Sequence, residues 1–141
     1  MVNLKITTAL FTVLLLLFSC SHKSETETLL SYADTLMEEY PDSALRSLDL
    51  SPEEIEGLSD KECARYALLL ARATDKCKLS LLPCDSLLNV ALDYYDDDEK
   101  EKAVALLYKG RLAVEMEEAE EATTCFQKGL TIIQDFPKEL K

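Results

Sequence analysis

The residue types that support catalysis or metal binding are scarce in this sequence. Its only histidine, His22, lies in a polar stretch without helical periodicity, where nothing would fix the geometry of a general base. No glycine-rich phosphate loop is present. The acidic run Asp93–Glu99 lacks the glycine that an EF-hand loop carries at its sixth position. The sequence therefore predicts no enzyme, no metal site and no cofactor, and an envelope enzyme is the least favoured alternative.

The N-terminus carries the one predicted covalent modification. Lys5 is followed by an apolar run, residues 6–18, that is short for a bilayer span and typical of an export signal. The run ends in Leu17-Phe18-Ser19-Cys20, which resembles a bacterial lipobox. The resemblance implies a lipoprotein signal peptide over residues 1–19. It also implies lipidation of Cys20 by diacylglycerol and by fatty acyl chains such as palmitate. The alternatives are an ordinary signal peptide cut nearby and a membrane-embedded anchor helix.

Charge limits what the exported chain can bind. The formal net charge is -12, and the polar residues 20–28 read as a tether between the lipid and the domain. An acidic protein repels anionic lipid and nucleic acid. We therefore expect no nucleic-acid partner, and we expect contact with the lipid bilayer to come from the anchor. The predicted location is the bacterial cell envelope, in either the inner or the outer membrane.

Composition and periodicity predict a domain built from helices. Glycine (3) and proline (4) are too rare for the turns of a sheet protein. Apolar residues recur at helical spacing in six segments, and Pro52 begins a one-turn helix between the second and third. Ser59 and Glu62 form a predicted capping box. The six predicted helices are Glu25–Glu39, Ala44–Leu48, Ser59–Lys76, Asp85–Tyr95, Asp96–Met116 and Glu118–Phe136.

The last two predicted helices resemble a tetratricopeptide repeat (TPR), a two-helix unit of about 34 residues. The small residue of the family's first helix matches Gly110. On the second helix, the early alanine matches Ala122, the aromatic residue one turn later matches Phe126, and the next small position matches Gly129. The sequence departs from the family at Leu106, where a tryptophan is common.

Earlier stretches repeat parts of this pattern. The corresponding packing positions are Ala44, Leu87 and Ala122 on second helices, and Ala71 and Gly110 on first helices. The resemblance implies an all-α fold of antiparallel helix pairs stacked as a short TPR-like solenoid. About three pairs would fill residues 29–136, followed by a tail at 137–141. The alternative is an unrelated six-helix bundle.

In the TPR family, the first helix of each pair lines a concave surface that binds partners. The resemblance places six residues on this predicted groove: Arg65, Leu68, Arg72, Leu107, Arg111 and Val114. The corresponding guanidinium groups of Arg72 and Arg111 could hold a carboxylate of a protein or peptide partner. The alternative is that these arginines pair with neighbouring glutamates on a solvated face.

Four cysteines follow Cys20. Export permits disulfides, and Cys77 and Cys84 flank a single loop that a disulfide could close. Cys63 and Cys125 fall on predicted helices and read as small core residues. The spacing and the lack of histidine disfavour a zinc site.

The C-terminal helix is expected to leave apolar surface uncovered. Leu130 and Ile133 are predicted to face the fifth helix, which directs Ile132 and Phe136 elsewhere. A solenoid normally ends in a capping helix, and residues 137–141 are too few to form one. We expect self-association through Ile132 and Phe136, or a fold-back of Phe136 over Ile132.

These observations favour a membrane-anchored TPR-like lipoprotein that acts as a protein-binding or scaffolding module. More widely, the lipobox, Glu38-Glu39-Tyr40-Pro41-Asp42-Ser43-Ala44-Leu45 and Ala64-Arg65-Tyr66-Ala67-Leu68-Leu69 resemble the N-terminal part of Bacteroidetes repeat proteins. Many of those continue into more repeats, a transmembrane helix and a DNA-binding domain, none of which we find in this sequence. A remnant sensor domain is therefore an alternative, and the partner is not identified by the sequence.

Overall fold

A computed structural model describes residues 25–135 of the protein. Cys20, Phe136, the predicted signal peptide and the predicted tail therefore lie outside the described residues. Over the described range the structure is all-helical, with no strand. Its helices are α1 (Glu25–Leu36), α2 (Pro41–Ser47), α3 (Pro52–Glu56), α4 (Asp60–Lys76), a 3₁₀-helix (Leu82–Cys84), α5 (Asp85–Tyr94), α6 (Glu99–Glu115) and α7 (Ala119–Asp135).

Local capping explains where the helices begin. The hydroxyl of Ser59 accepts from the backbone N–H of Glu62 at 3.4 Å, and the Glu62 carboxylate accepts from the backbone N–H of Ser59 at 3.1 Å. The predicted capping box is thus present at the start of α4. Asp98 caps α6 in a similar way, because its carboxylate accepts from the backbone N–H of Glu101 at 3.2 Å. Such caps satisfy N–H groups that have no partner within the helix.

α4 and α6 correspond in length and in how they end. Each has 17 residues, and each is followed by a non-glycine residue with positive φ, Lys78 at 57° and Glu117 at 63°. The next residue donates its N–H back into the helix in both cases, over 3.0 Å to Thr74 and over 2.9 Å to Ala113. The same number of residues separates Lys78 from Glu117 as separates Thr74 from Ala113. The two helices therefore end in the same local structure.

The helices pack in three consecutive pairs. α2 packs on α1, α5 packs on α4, and α7 packs on α6. In addition, α4 contacts both α1 and α2, while α6 contacts both α4 and α5. The first helix of each later pair therefore covers both helices of the pair before it. The one-turn helix α3 lies between the first and second pairs, at the place where the sequence predicted it.

Two apolar cores fill the spaces between pairs. The first core joins α1, α2 and α4 through Leu30, Ala33, Met37, Ala44, Leu48, Tyr66, Leu69 and Ala73. The second core joins α4, α5, α6 and the loop before α5 through Ala67, Leu68, Ala71, Leu81, Cys84, Leu88, Ala91, Ala105, Tyr108 and Leu112. α4 contributes to both cores, because one stripe of its side chains faces the first core and another stripe faces the second core.

Glycine brings α6 and α7 close together. A Cβ built on Gly110 would lie 2.5 Å from Cε1 of Phe126, so the Phe126 ring occupies the place of a side chain at Gly110. One turn further along α7, Gly129 lies against the backbone of Ala103 and the Cβ of Leu106 at ordinary contact distance. The two helices are antiparallel, because a later residue of α7 meets an earlier residue of α6.

The prediction that Leu130 and Ile133 face the fifth predicted helix, which is α6 in the structure, is wrong. These side chains are 57% and 44% exposed, whereas Ala122 and Cys125 are buried. The contact of Gly129 with α6 sets the register of the helix. Leu130 is one residue further, a rotation of about 100°, and therefore points to the side of the pair.

Candidate functional site

Basic side chains connect the first helices of the three pairs. Arg65 of α4 binds Glu27 of α1 at 2.5 Å, and Arg111 of α6 binds Asp75 of α4 at the same distance. Arg72 of α4 also reaches Asp34 of α1, and Arg72 and Lys76 both reach Glu38 in the turn after α1. We call this surface the charged strip; it consists of Glu27, Asp34, Glu38, Arg65, Arg72, Asp75, Lys76 and Arg111.

The middle of the charged strip is a small ion-pair network. Arg72 binds Asp34 at 3.3 Å and also binds Glu38, which accepts a second bond from Lys76 at 2.8 Å. The hydrogen bonds from Lys76 and Arg72 lower the pKa of Glu38 below its ordinary value. This carboxylate therefore stays ionised, and both nitrogens of the Arg72 fork are engaged within the chain.

Arg111 has more capacity for a ligand than the other arginines of the strip. Its side chain is 51% exposed, against 34% for Arg72 and 27% for Arg65. Its ion pair with Asp75 is made through one nitrogen. A guanidinium carries five N–H donors, so Arg111 can hold Asp75 and still offer donors to a carboxylate from outside.

The six residues of the predicted groove do not form one surface. Leu68 is only 6% exposed because it packs in the second core, to which Tyr108 and Leu112 of α6 also belong. Its assignment to a partner-binding groove is therefore wrong. Leu107 and Val114 are exposed at 47% and 59%, on the side of α6 that no later helix of the described chain covers. Arg65, Arg72 and Arg111 belong to the charged strip.

The four cysteines of residues 25–135, Cys63, Cys77, Cys84 and Cys125, are free thiols. The disulfide between Cys77 and Cys84 is absent, because Cys84 turns into the second core while Cys77 donates to Asp42 at 3.4 Å. Burial raises the pKa of Cys84. Desolvation, and then the hydrogen bond to Asp42, raises the pKa of Cys77. These thiols are poor nucleophiles at neutral pH, because the thiolate is the reactive form.

The sequence did not predict two side chains that make long-range polar contacts. Glu115 accepts from the backbone N–H of Leu81 at 3.0 Å and from the hydroxyl of Ser80 at 2.9 Å, and so fixes the loop before α5. Lys109, which is 14% exposed, binds Asp85 at 2.6 Å. Neither contact could be read from local periodicity, because each joins residues distant in sequence.

A shallow depression lies beside the turn between α5 and α6. The rings of Tyr94 and Tyr95 meet edge to face there, with centroids 5.1 Å apart. Burial raises the pKa of Tyr95 to about 12, so its phenol stays protonated at neutral pH. The remaining lining residues are Lys61, Asp97, Asp98, Glu99 and Lys100. Their charges have both signs and do not form an acid–base pair.

Over residues 25–135, no cluster of three or more metal-ligating side chains is present. Nor is any helix in that range long and apolar enough to cross a membrane. No protein-family model matches the chain, and no curated protein or solved structure matches it. The charged strip is therefore the feature from which a function is best argued.

Proposed function

We propose that the protein is a lipid-anchored, TPR-like module that binds a protein partner in the bacterial cell envelope. The observation that carries this proposal is the correspondence between α4 and α6. Three residues of α4, Tyr66, Leu69 and Ala73, pack in the first core. The residues at the same places in α6 are Ala105, Tyr108 and Leu112, and they pack in the second core.

This correspondence supports a solenoid over an unrelated bundle. In a solenoid, each repeat contacts its neighbours in the same way, so equivalent residues make equivalent contacts. Ala71 and Gly110 also occupy equivalent places, and each is buried beside the second helix of its own pair. In a bundle without repeats, α4 and α6 would not be expected to use equivalent residues both to contact the preceding pair and to contact the second helix of their own pair.

The charged strip is the proposed partner-binding surface. It runs across the first helices of all three pairs, which is where the TPR family binds its partners. Arg111 provides free donors for a carboxylate, while Asp34 and Glu38 provide acceptors for a basic side chain. The partner is therefore a protein segment that carries both charges, such as a helix or an extended peptide.

The proposed anchor is Cys20. The net charge of -12 gives the domain no attraction to an anionic bilayer, so a lipid on Cys20 would supply the membrane contact. More than one acyl chain would be needed for stable attachment, since a single chain binds marginally. Either membrane of the envelope is compatible with this arrangement.

Metabolic labelling tests the anchor. Cells that express the chain are grown with an alkyne fatty acid, and the purified protein is examined for label. We expect the wild type and Cys77→Ala to be labelled and Cys20→Ala to lose the label. Equal labelling of Cys20→Ala would contradict the lipoprotein proposal.

Crosslinking in membranes tests the strip. A photo-crosslinker is placed beside Arg111, and the captured proteins are identified by mass spectrometry. We expect Arg111→Glu to reduce capture of the principal partner by about tenfold and Arg111→Lys to retain part of it. Lys128→Glu is the matched control, because it makes the same charge change on α7, away from the strip. Capture that is insensitive to Arg111→Glu would contradict the proposed surface.

A further inference from the structure

One side of the last helix pair exposes large apolar residues. Leu107 and Val114 of α6 are 47% and 59% exposed, and Leu130 and Ile133 of α7 are 57% and 44% exposed. We call this surface the end face. We propose that the end face is an interface through which two copies of this chain associate about a twofold axis.

The four side chains lie on the same side of the pair. Leu106 and Gly129 face each other across the α6–α7 contact. Leu107 follows Leu106 by one position, and Leu130 follows Gly129 by one position. Antiparallel helices wind in opposite senses when viewed from one end, so this one-residue step points both side chains to the same side. Leu107 and Leu130 are also level with each other along the pair.

The preceding pair shows what covers such a surface. Leu68 of α4 occupies the place that corresponds to Leu107 of α6, and it is 6% exposed where Leu107 is 47% exposed. On α5, Leu88 and Ala91 are fully buried. The helix that covers all three is α6, with an apolar stripe of its own. The end face is therefore shaped to receive a helix with an apolar stripe.

The α7 part of the end face is nearly free of charge. In a chain with 30% charged residues, Lys128 is the only charged residue of α7 between Ala122 and Gln134. Thr123 lies two turns before Leu130, on the same side of the helix. Its hydroxyl group donates to the carbonyl of Ala119 at 2.8 Å, which leaves its methyl group to the surface.

Charge and composition favour a second copy as the occupant. Two chains that each carry -12 repel each other over most of their surfaces, and a neutral face is where they can meet. On α6, the charge of Arg111 is offset by Asp75. Elsewhere in the described residues, exposed large apolar side chains are scattered over helices and loops. The end face is the one described surface that offers an apolar stripe on two adjacent helices, and a twofold interface pairs a patch with itself.

This inference does not depend on the lipid anchor, and its failure would leave Cys20 labelling untouched. Conversely, the absence of fatty-acid labelling at Cys20 would not affect association through the end face. Arg111 lies between Leu107 and Val114 on α6, so the charged strip borders the end face. Leu130→Glu changes the end face on α7 and leaves the Arg111 side chain in place, so the two proposals are tested separately.

Co-purification of two differently tagged copies tests the interface. Both copies are the whole chain, expressed together and extracted in excess detergent so that separate micelles hold separate molecules. We expect one tag to recover the other in the wild type, and we expect Leu130→Glu to reduce recovery by about tenfold or more, because a carboxylate would be buried in an apolar contact. Tyr32→Glu is the matched control: Tyr32 is also 57% exposed but lies on α1. Its recovery should stay within about twofold of the wild type.

A photo-crosslinker in place of Leu130 provides a second measurement that needs no destabilising charge. A covalent product of twice the chain mass supports the proposal. A product with a different protein, a crosslink within one chain, or no product would overturn it, as would undiminished recovery of Leu130→Glu. Circular dichroism of Leu130→Glu, with an unchanged melting midpoint, establishes that lost recovery reflects the interface.

Discussion

The first helices of the second and third pairs, α4 and α6, have the same length and corresponding ends, but within residues 25–135 only α4 is covered on both sides. The side of α4 that carries Leu68 is closed by α6, and the corresponding side of α6, which carries Leu107, is open. The two leucines have the same chemistry and the same place in the helix. What differs is whether another helix follows in space.

The comparison separates two roles of an apolar residue in a repeat. At a covered position it contributes to folding, since burial of a leucine side chain stabilises by about 1.5–3 kcal/mol. At an open position the same residue contributes little to folding and remains available for association. Mutations at corresponding positions should therefore have different effects, and four predictions test or extend this comparison.

The largest difference is expected between Leu68→Ala and Leu107→Ala. Leu68→Ala leaves a cavity in the second core and should lower the free energy of unfolding by about 2–5 kcal/mol. Leu107→Ala should lower it by less than about 0.5 kcal/mol in dilute solution, where copies are apart. Urea unfolding measures both. Similar losses for the two variants would contradict the assignment of one covered and one open face.

A smaller difference is expected between two glycines of the α6–α7 contact. Gly110→Ala places a methyl group against the Phe126 ring and should cost about 1–3 kcal/mol of unfolding free energy. Gly129→Ala is the control, because its Cβ would lie 3.6 Å from its nearest neighbours. It should be neutral or stabilise by up to about 1 kcal/mol through helix propensity. Partial recovery of Gly110→Ala by Phe126→Leu would locate the clash; a Gly110→Ala variant as stable as the wild type would contradict it.

The thiol reactivities of Cys84 and Cys125 compare the second core with the last helix pair. Cys84 lies in the second core, and Cys125 is a buried residue of α7, the last described helix. Burial raises the pKa of both thiols, so both should react slowly at pH 7 and faster as pH rises. We expect Cys125 to react with a thiol reagent several-fold faster than Cys84, since local opening is easier at an end. Mass spectrometry of partly labelled protein assigns the sites, and earlier labelling of Cys84 would count against this order.

The smallest effect is expected for the ion pairs that join the first and second helix pairs. The pKa of Glu38 is lowered in the folded state by Lys76 and Arg72, so its stabilisation is present above its ordinary pKa of 4.5. That stabilisation is lost as pH falls through the lower folded-state value. Glu38→Gln should therefore lower the melting midpoint slightly at pH 7 and not at pH 3, because exposed pairs contribute little. Glu39→Gln is the control. If both variants changed the melting midpoint equally at pH 7, the result would contradict a stabilising role of the ion pairs of Glu38.

The sequence allowed the helices to be predicted closely, because their signals are local. The Ser59–Glu62 capping box and the predicted end at Lys76 both agree with α4. The side of a helix that another helix covers was harder to predict. Leu130 and Ile133 lie on a broad apolar stripe, and the register set by Gly129 decides which edge is buried.

Site prediction was limited by contacts between distant residues. The three arginines of the strip were predicted, but Lys76 and the individual carboxylates that pair with these residues were not, since partners such as Arg65 and Glu27 are far apart in sequence. Cys77 and Cys84 flank one loop, which suggested a disulfide. The 3₁₀-helix turns Cys84 inward, and that turn depends on the core and on Glu115.

The position of α4 in both cores has a consequence for how the chain unfolds. In a linear array the cooperativity of melting depends on the coupling energy between neighbours. Here the first and second cores share a wall, so the loss of α4 removes one side of each at once. Hydrogen exchange should therefore be slowest in α4, with protection decreasing along the chain in both directions, toward α1 and toward α7.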